Sequence, residues 1–161
     1  MTVLLVTAPQ GREGDAILEL EWALEKVRVR GTDWKGVLLA ETALPREEAL
    51  RRLRGFETQA IQRVVPLDSL VPAKREEIEK AVLELAEKID GTFAVRVKVR
   101  GNKKLSAREL EIGLGSLIVE RFGLPVNLSD PDFTVVIEVL GKRAGVGVLK
   151  RGELLRFEAA D

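Results

Sequence analysis

The residues best suited to chemistry concentrate in one stretch, residues 93–108, with the sequence FAVRVKVRGNKKLSAR. It holds Arg96, Lys98, Arg100, Lys103, Lys104 and Arg108, and no acid. Alternate side chains of a strand share a face, so Arg96, Lys98 and Arg100 line one side. Phe93, Val95, Val97 and Val99 then turn the other way, into a core. The polar loop of Gly101, Asn102, Lys103 and Lys104 continues the positive surface. Ser106 and Glu109 form an S-x-x-E capping box that opens a helix. A helix start offers free N–H groups and a partial positive charge. Together these features make a phosphate-binding surface, with Arg96, Lys98, Arg100, Asn102, Lys103, Lys104, Ser106 and Arg108 as its candidate residues. The competing reading is a charged sheet face that only confers solubility, with cross-strand acids able to neutralise it. Three like charges on one strand face repel each other, which disfavours that reading.

The rest of the composition narrows the chemistry. The chain has 161 residues, room for one ordinary domain or two small ones. Hydrophobic residues make up 45%, enough for a real core. Lys plus Arg and Asp plus Glu each number 26, so a polyanion site must come from local segregation of charge. Cys and His are absent, which excludes Cys-containing zinc sites, thiol nucleophiles and His-based triads. No disulfide can form, in keeping with a reducing compartment. The expectation is a protein with no catalytic residues, no cofactor and no metal.

Other motifs carry less. Gly113-x-Gly115 falls inside a helical pattern without the strand before or the third glycine after, so it is no dinucleotide fingerprint. The two glycines are expected to pack closely against a sheet. Asp130 and Asp132 flank Pro131 and are read as shaping a turn. Trp22 and Trp34 could stack on bases, but packing in the core or between domains is the preferred reading.

The elements that position the basic stretch follow from periodicity. Thr2–Thr7 reads as a buried strand and residues 8–14 as a loop. Asp15 is a candidate cap for a helix whose stripe is Ile17, Leu20, Leu24 and Val27. Residues 27–30 and 35–41 read as strands. A helix opens at Pro45, with Thr42 as a candidate cap, and stops at Gly55. Residues 60–66 form another strand. This β-α-β-β-α-β order is ferredoxin-like. Pro66 and Pro72 mark a boundary at 67–72. Ile78, Val82, Leu85 and Ile89 define a helix over 73–89, followed by a strand over 92–100. The capped helix runs over 106–122, and strands over 133–140 and 146–149 close the pattern. The domains are expected at 1–70 and 71–150, with a tail at 151–161. Nothing resembles a signal peptide, and no apolar run approaches the roughly 20 residues of a membrane span. The expected protein is cytoplasmic and makes no membrane contact. Its 32% charged residues resemble a thermophile's composition.

A family resemblance then emerges. GTFAVRVKVRGNK at 91–103, EIG at 111–113, VNLSDP at 126–131, VIEV at 136–139 and GVG at 145–147 together resemble a THUMP domain. The similarity runs from about Val71 to Leu149. The resemblance implies an α/β sandwich with a mixed sheet, preceded by a ferredoxin-like domain. It also implies binding of tRNA at its acceptor end. Family enzymes carry a catalytic domain after THUMP, and this chain ends near Asp161. That architecture, and the loop TAPQGRE at 7–13, is similar to stand-alone THUMP proteins that assist tRNA cytidine acetyltransferases. The expectation is therefore a non-catalytic tRNA-binding adaptor whose partner is a separate tRNA-modifying enzyme. The alternative is a protein–protein module whose basic face meets an acidic partner without RNA.

Overall fold

A computed structural model describes residues 1–157 of the chain. Its strands are β1 (Thr2–Thr7), β2 (Val27–Gly31), β3 (Val37–Thr42), β4 (Arg63–Leu67), β5 (Ser69–Pro72), β6 (Phe93–Arg100), β7 (Phe133–Leu140), β8 (Arg143–Lys150) and β9 (Leu155–Arg156). Its helices are α1 (Glu13–Leu24), α2 (Arg46–Gly55), α3 (Arg75–Ala86) and α4 (Ala107–Phe122). Two compact units result: Met1–Pro66 with the segment returning from Gly152, and Leu67–Arg151.

The first unit has a sheet in the order β2-β3-β1-β4-β9. Pairing of β1 with β3 and of β2 with β3 is antiparallel. Leu4, Val6, Leu38 and Ala40 alternate along β1 and β3 and meet Leu20 and Leu24 of α1 and Leu50 and Leu53 of α2 in one core. One strand face and one stripe of each helix are thus removed from water, which drives the unit's assembly. The helix starts differ from the sequence expectation. Asp15 lies in the first turn of α1 and pairs with Arg12 at 3.3 Å. Glu13 fixes the start instead, its carboxylate accepting the N–H groups of Gly11 at 2.6 Å and Gly36 at 3.0 Å. Pro45 precedes α2 as its cap residue, while the Thr42 hydroxyl donates to the Lys26 carbonyl at 2.7 Å. Trp22 does not pack in the core: it is 65% exposed.

The second unit has a mixed sheet in the order β5-β8-β7-β6, with β6 parallel to β7 and the other pairs antiparallel. Its core joins Phe93, Val95 and Val97 of β6 and Val135, Ile137 and Val139 of β7 to Ile78 and Val82 of α3 and Leu110, Leu114 and Ile118 of α4. The stretch at 67–72, expected as a boundary, contains β5, which pairs with β8 from Ser69↔Val146 to Pro72↔Arg143. The expected tail also contributes a strand: β9 pairs with Arg63 and Val64 of β4. Residues 158–161 of that tail lie outside the described residues. Both strands are short and at a sheet edge, so neither has the length to display alternation in sequence. No helix among the described residues is long and apolar enough to cross a membrane.

Candidate nucleic-acid interface

The edge strand β6 carries the basic stretch, and its alternation is as expected. Phe93, Val95 and Val97 are buried, while Arg96 and Lys98 on the other face are exposed. Arg100 departs from the pattern. Its side chain is 19% exposed and donates to Oε2 of Glu138 at 3.3 Å, a carboxylate only 2% exposed. Glu138 stands in register with Lys98 on the neighbouring β7. A buried acid thus offsets the repulsion anticipated along this strand face. Arg96 is also held, donating to the carbonyls of Leu128 at 2.6 Å and Val95 at 3.2 Å.

The loop after β6 sorts its residues similarly. Asn102 serves the backbone: its Nδ2 donates to the Gly141 carbonyl at 3.0 Å, and its Oδ1 accepts from the N–H groups of Lys104 and Leu105. Ser106 caps α4, accepting from the Glu109 N–H at 3.2 Å. The Glu109 carboxylate sits in that first turn and lowers the helix start's attraction for anions. Lys103, Lys104 and Arg108 are exposed.

Tertiary structure enlarges this surface with cations the sequence reading missed. The Gly141 N–H donates to the Arg100 carbonyl at 2.8 Å, so the loop 101–105 lies beside the β7–β8 turn. That turn exposes Lys142 and Arg143. The Ala73 N–H donates to the Lys142 carbonyl at 2.8 Å, which brings in Lys74, the residue preceding α3. Lys74, Lys103, Lys104, Arg108, Lys142 and Arg143 thus share the end of the sheet where parallel β6 and β7 finish and both α3 and α4 begin. Ligands of parallel α/β sheets bind at that end, outside the carboxyl ends of the strands. The local signal for the added cations was the G-K-R turn, uninformative until it is paired with a loop 40 residues away.

A groove of about 300 Å³ lies alongside the other half of β6. Ile112 of α4 and the segment with Val126 and Leu128 form its apolar walls, and Arg96 stands at its rim. Ile112, Val126 and Leu128 are 59%, 51% and 65% exposed. Gly115 opens into the groove, with nothing within 4 Å of where a Cβ would stand. A Cβ on Gly113 would instead meet the Arg75 guanidinium at 2.7 Å. Neither glycine packs against the sheet as expected. Glu111 closes part of the β6 edge by accepting the Val97 N–H at 3.0 Å. Asp132 accepts from the N–H and hydroxyl of Thr92, at 2.9 Å and 3.0 Å, and from Arg151 at 3.0 Å. The Thr92 bonds, with Arg151 beside them, hold its carboxyl below the usual range. Asp130 and Asp132 thus belong to the turn into β7. Among the described residues no three His, Cys, Asp or Glu side chains gather as a metal site.

Comparison with known proteins bears on the second unit directly. Residues 72–149 match the THUMP domain family. A probable tRNA sulfurtransferase of Aeropyrum pernix is 33% identical over 94 residues, covering 53% of this chain and 24% of that protein. TrmN from Thermus thermophilus superposes with a TM-score of 0.73 at 26% identity, over 92% of this chain and 45% of that one. A 4-thiouridine synthetase solved with RNA and bound ATP shares the fold, with a TM-score of 0.67 at 21% identity, over 97% of this chain and 42% of that one. The chain therefore spans about a quarter of the curated relative's length and under half of either solved chain. Within the β5-β8-β7-β6 unit, residues 72–149, which carry the basic end and the apolar groove, are a THUMP domain.

Proposed function

We propose that this chain binds the acceptor end of tRNA through its THUMP domain and serves a separate tRNA-modifying enzyme as a non-catalytic accessory. One observation carries the reading: an exposed cation cluster at the carboxyl ends of β6 and β7 is joined to an apolar groove by the basic face of one strand. RNA is recognised chiefly where unstacked bases and phosphates are presented together, as at a single-stranded end. Lys103, Lys104, Lys142 and Arg143 take the phosphates. Ile112, Val126 and Leu128 receive an unstacked base. The eight residues of β6 span roughly 26 Å at about 3.3 Å each, so the strand links the two.

The likeness to a probable tRNA sulfurtransferase supports tRNA as the ligand. The accessory role draws on the site itself, which offers cations and apolar walls but no paired acid and base. We read the modification as cytidine acetylation, from the likeness of the 7–13 loop to that of acetyltransferase accessory proteins. We also read the first unit as ferredoxin-like. Its β-α-β-β-α-β order, the strand order β2-β3-β1-β4 and two helices in one core support that reading.

The test compares intact tRNA, tRNA trimmed of its single-stranded 3′ end, and duplex DNA of equal charge. Intact tRNA is expected to bind at least tenfold more tightly than either. The double variant Lys103→Glu/Lys142→Glu is expected to lose at least tenfold in tRNA affinity with an unchanged melting temperature. Equal affinity for all three ligands, or unchanged binding by the folded variant, overturns the assignment. Failure to bind any of them at low salt would favour an acidic protein partner.

A further inference from the structure

The outward face of α1 in the first unit has no part in the nucleic-acid surface. Trp22 and Leu18 stand on it, 65% and 46% exposed. With the half-buried Phe56 they line a groove of about 380 Å³, whose rim includes Asp15 and Glu57. The groove is preformed. Glu19 is buried beneath it and accepts the N–H groups of Gln59 at 2.7 Å and Ile61 at 3.0 Å, fixing the far wall against α1. Arg12 donates to the Gln59 carbonyl at 3.3 Å and closes one end.

Electrostatics decides what fits. Arg12 alone among the lining residues is cationic, and it is already paired with Asp15. Glu21 stands exposed on α1 beside Trp22, Glu25 follows at its C-cap with Arg52 of α2 4.0 Å away, and Glu57 lies across the groove. The last turn of α1 has no basic residue of its own, and Arg52 of α2 donates to the Leu24 carbonyl at 3.5 Å. A phosphate backbone is repelled by this rim. A protein segment with apolar side chains flanked by Lys or Arg is attracted along the side of Glu21 and Glu57, away from Arg12. Trp22 adds a face on which a guanidinium or ammonium group can stack, and exposed Trp is a frequent anchor of protein interfaces.

We propose that the α1 face is the docking site for a basic amphipathic segment of a protein partner, with Leu18 and Trp22 as apolar anchors and Asp15, Glu21 and Glu57 as charge contacts. The proposal rests on the reading of this chain as an accessory to a separate enzyme, and it names the chemistry by which that enzyme is held.

Trp22 is its own reporter. The chain has two tryptophans, so Trp34→Phe leaves Trp22 as the only one. The probe is a synthetic amphipathic helix of Leu, Ala and Lys, about five turns long, titrated into the full chain. A saturable blue shift of Trp22 emission is expected. Leu18→Ser and, separately, Glu21→Lys/Glu57→Lys are expected to weaken it at least tenfold, with circular dichroism unchanged. A shuffled peptide of the same composition, and one with Glu in place of Lys, are expected to bind at least tenfold more weakly. Equal binding of the Glu peptide, no saturable shift, or indifference to Leu18→Ser overturns the proposal. So does concentration-dependent burial of Trp22 without peptide, which would make a second copy of this chain the occupant. Trp22 emission that responds to tRNA at the tRNA dissociation constant would assign the face to RNA and also overturn it. tRNA affinity measured on the same samples separates the two readings: docking without tRNA binding fails only the RNA assignment, and tRNA binding without docking fails only this one.

Discussion

Arg100 on β6 meets Glu138 on β7 with its Nη1 3.3 Å from Oε2, and the acid is 2% exposed where the arginine is 19% exposed. A residue that sequence alone assigns to phosphate binding is therefore also a counter-ion of the sheet. Removing one partner of a buried ion pair costs about 3 kcal/mol. Arg100→Ala is expected to lower unfolding free energy by about that amount in urea titration. Arg100→Met/Glu138→Gln is expected to recover most of the loss. A neutral Arg100→Ala would mean that the pair does not hold the sheet.

The cations on the β7–β8 turn offer a cleaner test of RNA binding, because Lys142 and Arg143 are exposed. Each phosphate neutralised on a single strand contributes about −0.7 to the slope of log affinity against log salt. Lys142→Gln and Arg143→Gln are each expected to flatten the slope for tRNA by roughly that amount and to leave the melting temperature within a degree or two. Slopes identical to the parent's would remove this turn from the interface.

Gly115 separates the groove's role from the helix's. No atom lies within 4 Å of its missing Cβ, so Gly115→Ala is expected to stabilise the domain by about 0.5–1 kcal/mol through helix propensity. Gly115→Leu keeps part of that gain and fills the groove. It is expected to weaken intact tRNA at least fivefold while leaving 3′-trimmed tRNA unaffected, as read by competition binding. Equal effects on both RNAs would show that the groove does not receive the 3′ end.

Acid stability is expected to report the two units separately. Asp132 in the second unit is held below the usual carboxyl range by Thr92, and Glu13 in the first by the backbone amides of Glu13 itself, Gly36 and Gly11. A depressed folded-state pKa contributes stability that is complete above the unfolded value, about 4, and is lost as pH falls through the folded value. Asp132→Asn and Glu13→Gln are each expected to flatten the fall in melting temperature below about pH 4 and to change its slope little between pH 6 and 8. A parent-like acid profile in both variants would show that neither carboxylate is linked to folding.

Much of the local structure is legible along the chain. Phe93, Val95 and Val97 alternate with Arg96 and Lys98 because a half-buried strand must separate apolar from charged residues every second position. Ser106 and Glu109 mark the start of α4, and the spacing of Ile78 and Val82 orients α3, because these patterns span a single turn or two. The family resemblance rests on the same local strings. What no local pattern holds is which distant segment each one meets. Only the register of β6 on β7 sets Glu138 beside Arg100 and Lys98. The β6–β7 pairing and the Asn102 and Gly141 hydrogen bonds together bring Lys142 and Arg143 to Lys103. The edge strands β5 and β9 are too short to carry a period, and pairing with β8 and β4 defines them. Sequence determined which residues are charged, apolar or capping. Tertiary structure decided which charges are spent on the fold and which remain for a ligand, because that depends on contacts between residues tens of positions apart.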